Sequence, residues 1–315
     1  MATYNGARYL QEQLDSFLYQ TRQPDELIVC DDGSTDATLK ILESFRQQAR
    51  FAVKVCRNDT NLGFIKNFEK AISLCTGDIV FLSDQDDVWF CNKIEFIEKV
   101  YTSKPDVLFT INDQIITDGN LRPKQYTTFE KTISAGLPEY WFVSGCCTSF
   151  KKEISKLILP FPSAISAHDI WISKLVNALN IGAILRLPLQ YYRRHGSNTS
   201  NAFVLSKNSF LKSKFLWNFG LRDARTGWAV EAELLGHLVE RLRNVIDAAA
   251  YENLKIPAEN AIPKLDSKID ALTQRIAIAS KPRWRRFPDL LNFYFHGGYR
   301  NFSGWKSCAK DLLRP

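Results

Sequence analysis

The residues best suited to chemistry in this chain are carboxylates that gather where apolar runs end. Ser83-Asp84-Gln85-Asp86-Asp87-Val88-Trp89 follows the short apolar run Ile79 to Leu82. Residues two apart in an extended chain point the same way, so Asp84 and Asp86 face one ligand while Asp87 lies on the other side or turns into the loop. Three adjacent carboxylates repel one another unless a cation or hydrogen-bond donors neutralise them. Hard oxygen ligands of this kind suit Mg²⁺ or Mn²⁺ bridging a diphosphate. The alternative is an acidic loop that caps the helix starting near Asn92. A second cluster, Asp31-Asp32-Gly33-Ser34-Thr35-Asp36, follows the run Leu27 to Cys30. A carboxylate at a strand end can accept a hydrogen bond from a base N–H or a ribose hydroxyl, which makes Asp31 and Asp32 the candidates there. Ser34, Thr35 and Asp36 fit turn and cap positions. His168-Asp169 stands just before a helix, where Asp169 can act as a general base or simply as an N-cap. Tyr191-Tyr192-Arg193-Arg194-His195-Gly196-Ser197-Asn198 ends a strand with two cations and a histidine, suited to phosphate and metal or, more plainly, to solvent.

These residues need a scaffold, and the first 115 residues alternate between strand and helix periods in the manner of βα units around a largely parallel sheet. Leu10, Leu14, Phe17 and Leu18 have helical spacing, as do Ile41, Leu42 and Phe45, and Phe64, Phe68, Ala71 and Ile72. Strands are expected at Leu27 to Cys30, Phe51 to Cys56 and Ile79 to Leu82. In open α/β sheets ligands lie outside the carboxyl ends of the strands, which is where the acidic clusters fall. The Thr3-Tyr4-Asn5-Gly6 turn directly precedes a helix, so the strand expected before it is missing, with only Met1 and Ala2 in its place. Apolar stretches follow at Val107 to Ile111 and Tyr140 to Phe150, then a helix from Asp169 through Leu179 and a strand from Ala183 to Tyr192. Beyond Ser200 the pattern is helical, with amphipathic spacing at Gly227 to Ala250 and Pro263 to Ser280. The expected division is 1–201 for the sheet domain and 202–315 for a helical appendage.

Composition narrows the class. The 315 residues carry 41 Lys and Arg against 34 Asp and Glu, a net charge of +7, with 45% hydrophobic residues. Lys281 to Pro315 alone holds eight basic and two acidic residues, so the surplus belongs to the tail. No apolar run approaches the roughly 18–20 residues that span a bilayer, and no secretory leader pattern opens the chain, which gives a cytosolic expectation. The seven cysteines include no C-x-x-C pair and read as reduced core residues, not as a disulfide framework or a zinc site. Lys281, Arg283, Arg285 and Arg286 interleave with Trp284 and Phe287, a composition that suits an anionic membrane surface. Nucleic acid is not expected as a partner, since no recognition fold accompanies the charge. A solvated tail whose Leu290 to Phe295 packs on the appendage is the plainer reading.

Taken together, Ala2-Thr3-Tyr4-Asn5-Gly6, Asp31-Asp32-Gly33-Ser34-Thr35-Asp36, Asn61-Leu62-Gly63, Asp84-Gln85-Asp86-Asp87-Val88-Trp89, His168-Asp169 and Arg194-His195-Gly196-Ser197-Asn198 resemble, in order and spacing, the family 2 glycosyltransferases. The likeness is strongest to the bacterial rhamnosyltransferase-like members and covers Met1 to Asn201. It implies a GT-A fold: a Rossmann-like, mixed and mainly parallel sheet flanked by helices, here with a C-terminal helical appendage. It also implies a nucleotide-sugar donor, dTDP- or UDP-linked, and an inverting single displacement onto a glycan acceptor, while the basic aromatic tail gives the expectation that this acceptor is lipid-linked and met at the inner face of the cell membrane. By the same resemblance Thr3, Tyr4, Asp31, Asp32 and Asp84 line the donor nucleotide, and Asp84, Asp86 and His195 hold Mg²⁺ or Mn²⁺. Arg194 meets the diphosphate and Asp169 is the catalytic carboxylate. Where the family more often has an acidic pair, this chain has His168-Asp169, which keeps Asp169 and leaves the role of His168 open. Two other classes compete: a non-catalytic carbohydrate or nucleotide-sugar binding partner in an assembly complex, and a nucleotidyltransferase. The first predicts lost carboxylates, yet every one is present. The second predicts an N-terminal Gly-rich signature followed by Arg or Lys, which the chain lacks.

Overall fold

The computed structural model describes residues 1–139, 142–196, 198 and 223–314. Ser197, Tyr140 and the boundary expected at 201/202 lie outside these described residues. The chain divides into two units, Met1–Phe161 with Ile165–Ala202, and Pro162–Ala164 with Phe203–Pro315.

In the first unit, β2 (Glu26–Asp31) is buried along nearly its whole length, which its continuous Leu27-Ile28-Val29-Cys30 run permits. It lies between β1 (Ala2–Thr3) and β3 (Ala52–Arg57), parallel to both, with Ala2 opposite Cys30 and Val29 opposite Val55. A two-residue stub therefore stands where the sequence suggests that the first strand is lost. The Met1 amino group anchors it by donating to the Ile28 carbonyl at 2.8 Å, and the Met1 side chain joins the core. Helices α1 (Leu10–Leu18) and α2 (Thr38–Gln48) send Leu10, Leu14, Phe17, Leu42 and Phe45 into that core with Leu27 and Val29. On α3 (Phe64–Leu74), Phe68, Ala71 and Ile72 form the buried stripe.

A second sheet contains β4 (Ile79–Phe81), β5 (Val88–Trp89), β6 (Phe109–Thr117), β7 (Pro123–Thr127), β8 (Thr148–Lys151) and β9 (Gly182–Arg193). Its order is β4-β8-β6-β9-β5, with β7 also on β6. Among the described residues of this sheet only β6 and β9 pair in parallel, and the other pairings are antiparallel. The expectation of a mainly parallel sheet therefore describes β1 to β3 and not this second sheet. An apolar run buried on both faces reads the same beside either partner direction, so periodicity alone does not distinguish them. Helices α4 (Lys93–Ser103), α5 (Thr128–Ser134), α6 (Ser155–Ile158) and α7 (His168–Leu179) complete the unit. Trp171, Ile172, Leu175, Val176 and Leu179 bury one side of α7, and Asn180, left-handed at φ 53°, ends it.

The second unit is helical: α8 (Arg225–Asp247), α9 (Lys255–Ala279), α10 (Arg283–Phe295) and α11 (Trp305–Leu313). Leu234, Leu235, Leu238, Val239, Leu242 and Val245 bury one stripe of α8, with helical spacing throughout. Leu290 and Phe293 of α10 pack with Ala271, Ile278 and Tyr299. All seven cysteines are free thiols. Cys30, Cys146 and Cys147 are buried as expected, whereas Cys91 is exposed.

Candidate functional site

The ends of β1, β2 and β4, the start of α7 and the loop after β9 converge on one cavity of about 930 Å³ in the first unit. Thr3, Tyr4, Asp32, Asp84, Asp86, Asp169 and His195 all line it, although they are spread over nearly two hundred residues of sequence.

The N-terminal turn is fixed by the loop after β2. Asn5 sits in the left-handed region at φ 45°; its N–H donates to Ser34 Oγ and its Oδ1 accepts from the Thr35 N–H, both at 2.9 Å. The Gly6 N–H donates to Thr38 Oγ1 at 2.9 Å. Asp31, expected at the nucleotide, is fully buried instead and is absent from the cavity wall. Its carboxylate accepts from Thr3 Oγ1 and the Ser34 N–H at 2.9 Å and from Ser34 Oγ at 2.5 Å, so it holds the turn. Asp32 reaches the cavity, and its carboxylate accepts from Asn58 Nδ2 and the Leu62 N–H at 2.8 Å and from the Gly63 N–H at 2.9 Å. The Asn61-Leu62-Gly63 motif is thus the clamp on Asp32. Gln85, between the two motif aspartates, spans the gap to the N-terminal turn: its Oε1 accepts from the Tyr4 N–H at 2.9 Å and its Nε2 donates to the Tyr4 carbonyl at 3.1 Å.

The carboxylates are crowded. Asp84, Asp87 and Cys146 bring one ligand atom each within 4.8 Å of one another. Burial, with Asp86 and Asp169 adding repulsion, pushes the Asp84 carboxyl up to about 7. Burial, Asp86 and Asp84 push Asp87 up as well. Asp87 points away from the cavity, accepting from Gln190 Nε2 at 3.0 Å and the Arg193 N–H at 3.3 Å. Asp86 and His195 meet directly, with Oδ2 and Nε2 2.8 Å apart, and Asn198 Nδ2 donates to the same oxygen at 3.0 Å. Of the three metal ligands expected from sequence, Asp86 and His195 touch, while Asp84 clusters with Asp87 and Cys146. Buried carboxylates that repel one another, with the His195 imidazole against Asp86, form a donor set that fits a divalent cation. Below them lies Lys93, fully buried, donating to the Gln190 side chain and to the Cys146 carbonyl and stacked 4.1 Å from the Trp89 ring centroid. Burial depresses its ammonium to about 8.

Arg194, expected at the diphosphate, does not line the cavity; its Nη1 donates to the Tyr192 hydroxyl at 3.2 Å. The neighbouring Arg193 is buried and tied to the Asp86 carbonyl at 2.9 Å, the Gly119 carbonyl at 2.8 Å and the Glu12 carboxylate. Among the described residues the one Lys or Arg in the cavity wall is Arg8, exposed, with its guanidinium 5.0 Å from the Tyr9 ring centroid. The other rings around Tyr9 tie it to the site, since His195 lies 4.6 Å from it. A basic residue just after a nucleoside turn is the signal that would have singled out Arg8.

Asp169 is the second residue of α7, and Ala167 occupies the cap position, so the capping alternative falls away. Its carboxylate lines the cavity and accepts from the Ile170 N–H at 2.8 Å. His168 is buried and stacks on Phe68 at 4.3 Å between ring centroids. Among the described residues neither of its ring nitrogens has a hydrogen-bond partner, and burial lowers its pKa. A Cβ at Gly145 would lie 2.6 Å from His168 Nε2, which explains a glycine in that wall.

The model of the glycosyl transferase family 2 matches residues 1–159. An uncharacterised glycosyltransferase of Nostoc sp. is 28% identical over 211 residues, 63% of this chain and 64% of that protein. A dTDP-rhamnosyl transferase of Shigella flexneri is 27% identical over 230 residues, 67% of this chain and 76% of that one. This chain thus spans a little under two thirds of the Nostoc relative's length. The solved structure of S. aureus TarS 1–349 in complex with UDP superimposes with a TM-score of 0.56 at 16% identity, covering 99% of this chain and 87% of that one, a likeness of fold.

Proposed function

The chain belongs to glycosyl transferase family 2, and from that premise we propose that it transfers a sugar from a nucleoside-diphosphate donor to a hydroxyl of a growing cell-surface glycan, inverting the anomeric carbon. The observation that carries this reading is that the nucleoside turn, the Asp84–Asp86 pair and Asp169 face one cavity. Thr3, Tyr4 and Asp32 take the nucleoside. Asp84, Asp86 and His195, with Asp87 and Cys146 beside them, would hold Mg²⁺ or Mn²⁺. When bound, such an ion supplies positive charge to the departing diphosphate. Arg8 adds a cation from the cavity wall, where negative charge develops as the glycosidic bond breaks. Asp169 accepts the proton of the attacking acceptor hydroxyl, which approaches the face of the anomeric carbon opposite the leaving group. Rhamnose from a dTDP donor is supported by the Shigella relative's name, and UDP-sugars remain the comparison set in a donor screen. The tail's basic surplus supports a lipid-linked acceptor met at the inner face of the membrane. Among the described residues no helix is long and apolar enough to cross one.

The test is a donor screen over dTDP-, UDP- and GDP-sugars with Mg²⁺ or Mn²⁺, followed by Asp169→Asn on the productive donor. General-base catalysis is worth about 10²–10⁴-fold, so transfer falls by that order while nucleoside-diphosphate affinity, read by calorimetry, stays within about twofold. Full transfer by Asp169→Asn removes the proposed base. Failure of the wild-type chain to bind any nucleoside diphosphate removes the donor reading. In the same titration Arg8→Ala weakens diphosphate binding but not binding of the free nucleoside, and an unchanged diphosphate affinity returns that role to Arg194.

A further inference from the structure

Helix α10 sorts its residues into two faces, and the outer one is unusual for a surface. Arg286, Leu290 and Phe293 turn inward. Arg286 is fixed there by donating to the carbonyls of Lys281 and Ala279 at 2.7 Å and of Arg314 at 2.8 Å. On the opposite side Trp284 is 74% exposed, Phe287 54%, Leu291 38% and Phe295 76%. At about 100° per residue these four fall within roughly 80° of arc, a stripe about 16 Å long. Arg283 and Arg285 flank Trp284 on either side of the stripe, and the Arg285 guanidinium lies 4.4 Å from a Trp284 ring centroid. Single exposed apolar residues are ordinary, but four aligned large ones bordered by cations form a surface with a purpose.

We propose that this outer face of α10 is a contact surface for the headgroup region of an anionic lipid bilayer, with Trp284, Phe287, Leu291 and Phe295 entering the interface and Arg283 and Arg285 meeting lipid phosphates. Charge decides the occupant. The two acidic residues of the segment from Lys281 onward are already engaged, Asp289 with Lys281 at 2.8 Å and Asp311 with Arg275 at 2.7 Å. The cations bordering the stripe are therefore not offset by acidic side chains of their own segment. A second copy of the chain would set like charges against each other across the stripe, whereas anionic lipid supplies the missing sign. Tryptophan at the edge of the stripe suits the headgroup depth, where its ring is half in and half out of water. The surface gives the peripheral attachment of the proposed function a physical place, and it stands independently of the donor chemistry.

The test uses the full chain without donor, sedimented with phosphatidylcholine vesicles with and without phosphatidylglycerol. The wild-type chain is expected to sediment with the anionic vesicles, to remain in solution with the neutral ones and to be released by salt. The triple variant Trp284→Ser, Phe287→Ser, Phe295→Ser loses about tenfold or more in vesicle affinity, as does Arg283→Gln with Arg285→Gln, each keeping wild-type helicity and thermal midpoint. The residues changed are exposed, so folding is not at stake. Wild-type protein that ignores anionic vesicles, or a triple variant that binds them undiminished, overturns the proposal. So does a concentration-dependent dimer that the triple variant abolishes, since the stripe would then be an interface between copies. Donor binding is read separately, so loss of lipid binding and loss of the transferase reading are distinguishable.

Discussion

Asp84 has other carboxylates for its nearest charged company, and that sets its response to pH. Its carboxyl, ordinarily near 3.8, is held up to about 7 by burial and by Asp86 and Asp169. An acid whose folded pKa is raised binds its proton more tightly in the folded state. Stability is therefore greatest below the unfolded value and declines as pH rises from near 4 through about 7. With chelator present, the thermal midpoint is expected to fall across that window and to fall less in Asp84→Asn. Mg²⁺ or Mn²⁺ added at neutral pH should raise the wild-type midpoint and release protons, because the cation replaces them on the carboxylates. A wild-type midpoint that is flat across the window, or indifferent to both metals, would contradict this account of the cluster. At this scale residue type and spacing singled out Asp84, Asp86, Asp169 and His195, which line the cavity, but did not separate Asp32 from Asp31. Cys146 escaped because neither residue type nor local spacing marks it, whereas Arg8 carries only its position just after the nucleoside turn as a signal. Cys146 meets the carboxylates only because β8 pairs beside β4, with Val80 opposite Phe150.

At the scale of elements, the site depends on two loops keeping a fixed separation, and Gln85 is their tie. The loop after β4 and the turn after β1 share no strand ladder, since β1 pairs with β2 and β4 with β8. Gln85 replaces that missing ladder with a two-bond bridge to the Tyr4 backbone, and its side chain fills the space over Gly6, where a Cβ would lie 2.2 Å from its Oε1. Two such hydrogen bonds contribute about 1–3 kcal/mol in total. Gln85→Ala is therefore expected to weaken nucleoside-diphosphate binding about five- to tenfold, with little change in thermal midpoint, since both groups it leaves are near solvent. A calorimetric titration with unchanged affinity would show the bridge to be incidental. The helices at this scale were legible from their apolar spacing, and the strands β2, β3 and β4 from their runs. Strand direction in the second sheet was not, because β6 is buried on both faces and its residues carry no mark of which neighbour runs parallel.

At the scale of the molecule, the first unit and the helical unit are held by different means. The first has a conventional core between sheet and helices, whereas the second closes around a buried ion pair. Arg275 meets the Asp311 carboxylate at 2.7 and 2.8 Å, the Tyr299 hydroxyl donates to the same group at 2.8 Å, and the guanidinium stacks 4.1 Å from a Trp228 ring centroid. Removing one partner of such a pair leaves an uncompensated buried charge, at a cost of about 3–5 kcal/mol. Asp311→Ala is expected to unfold the helical unit at a markedly lower temperature while leaving nucleoside-diphosphate binding intact. Circular dichroism with and without nucleoside diphosphate separates the two, and a wild-type melting profile would count against the pair as the unit's anchor. The sequence by itself determined the family resemblance, the alternation of helix and strand, and most of the carboxylates that line the cavity, because these follow from local spacing and residue type. Only the tertiary structure decided that Asp31 is a turn anchor and Asp32 a cavity residue, that Arg8 and not Arg194 faces the cavity, and that the tail presents its aromatic stripe outward. Each of those outcomes depends on which side of an element meets another part of the chain, a fact fixed by packing between residues far apart in sequence.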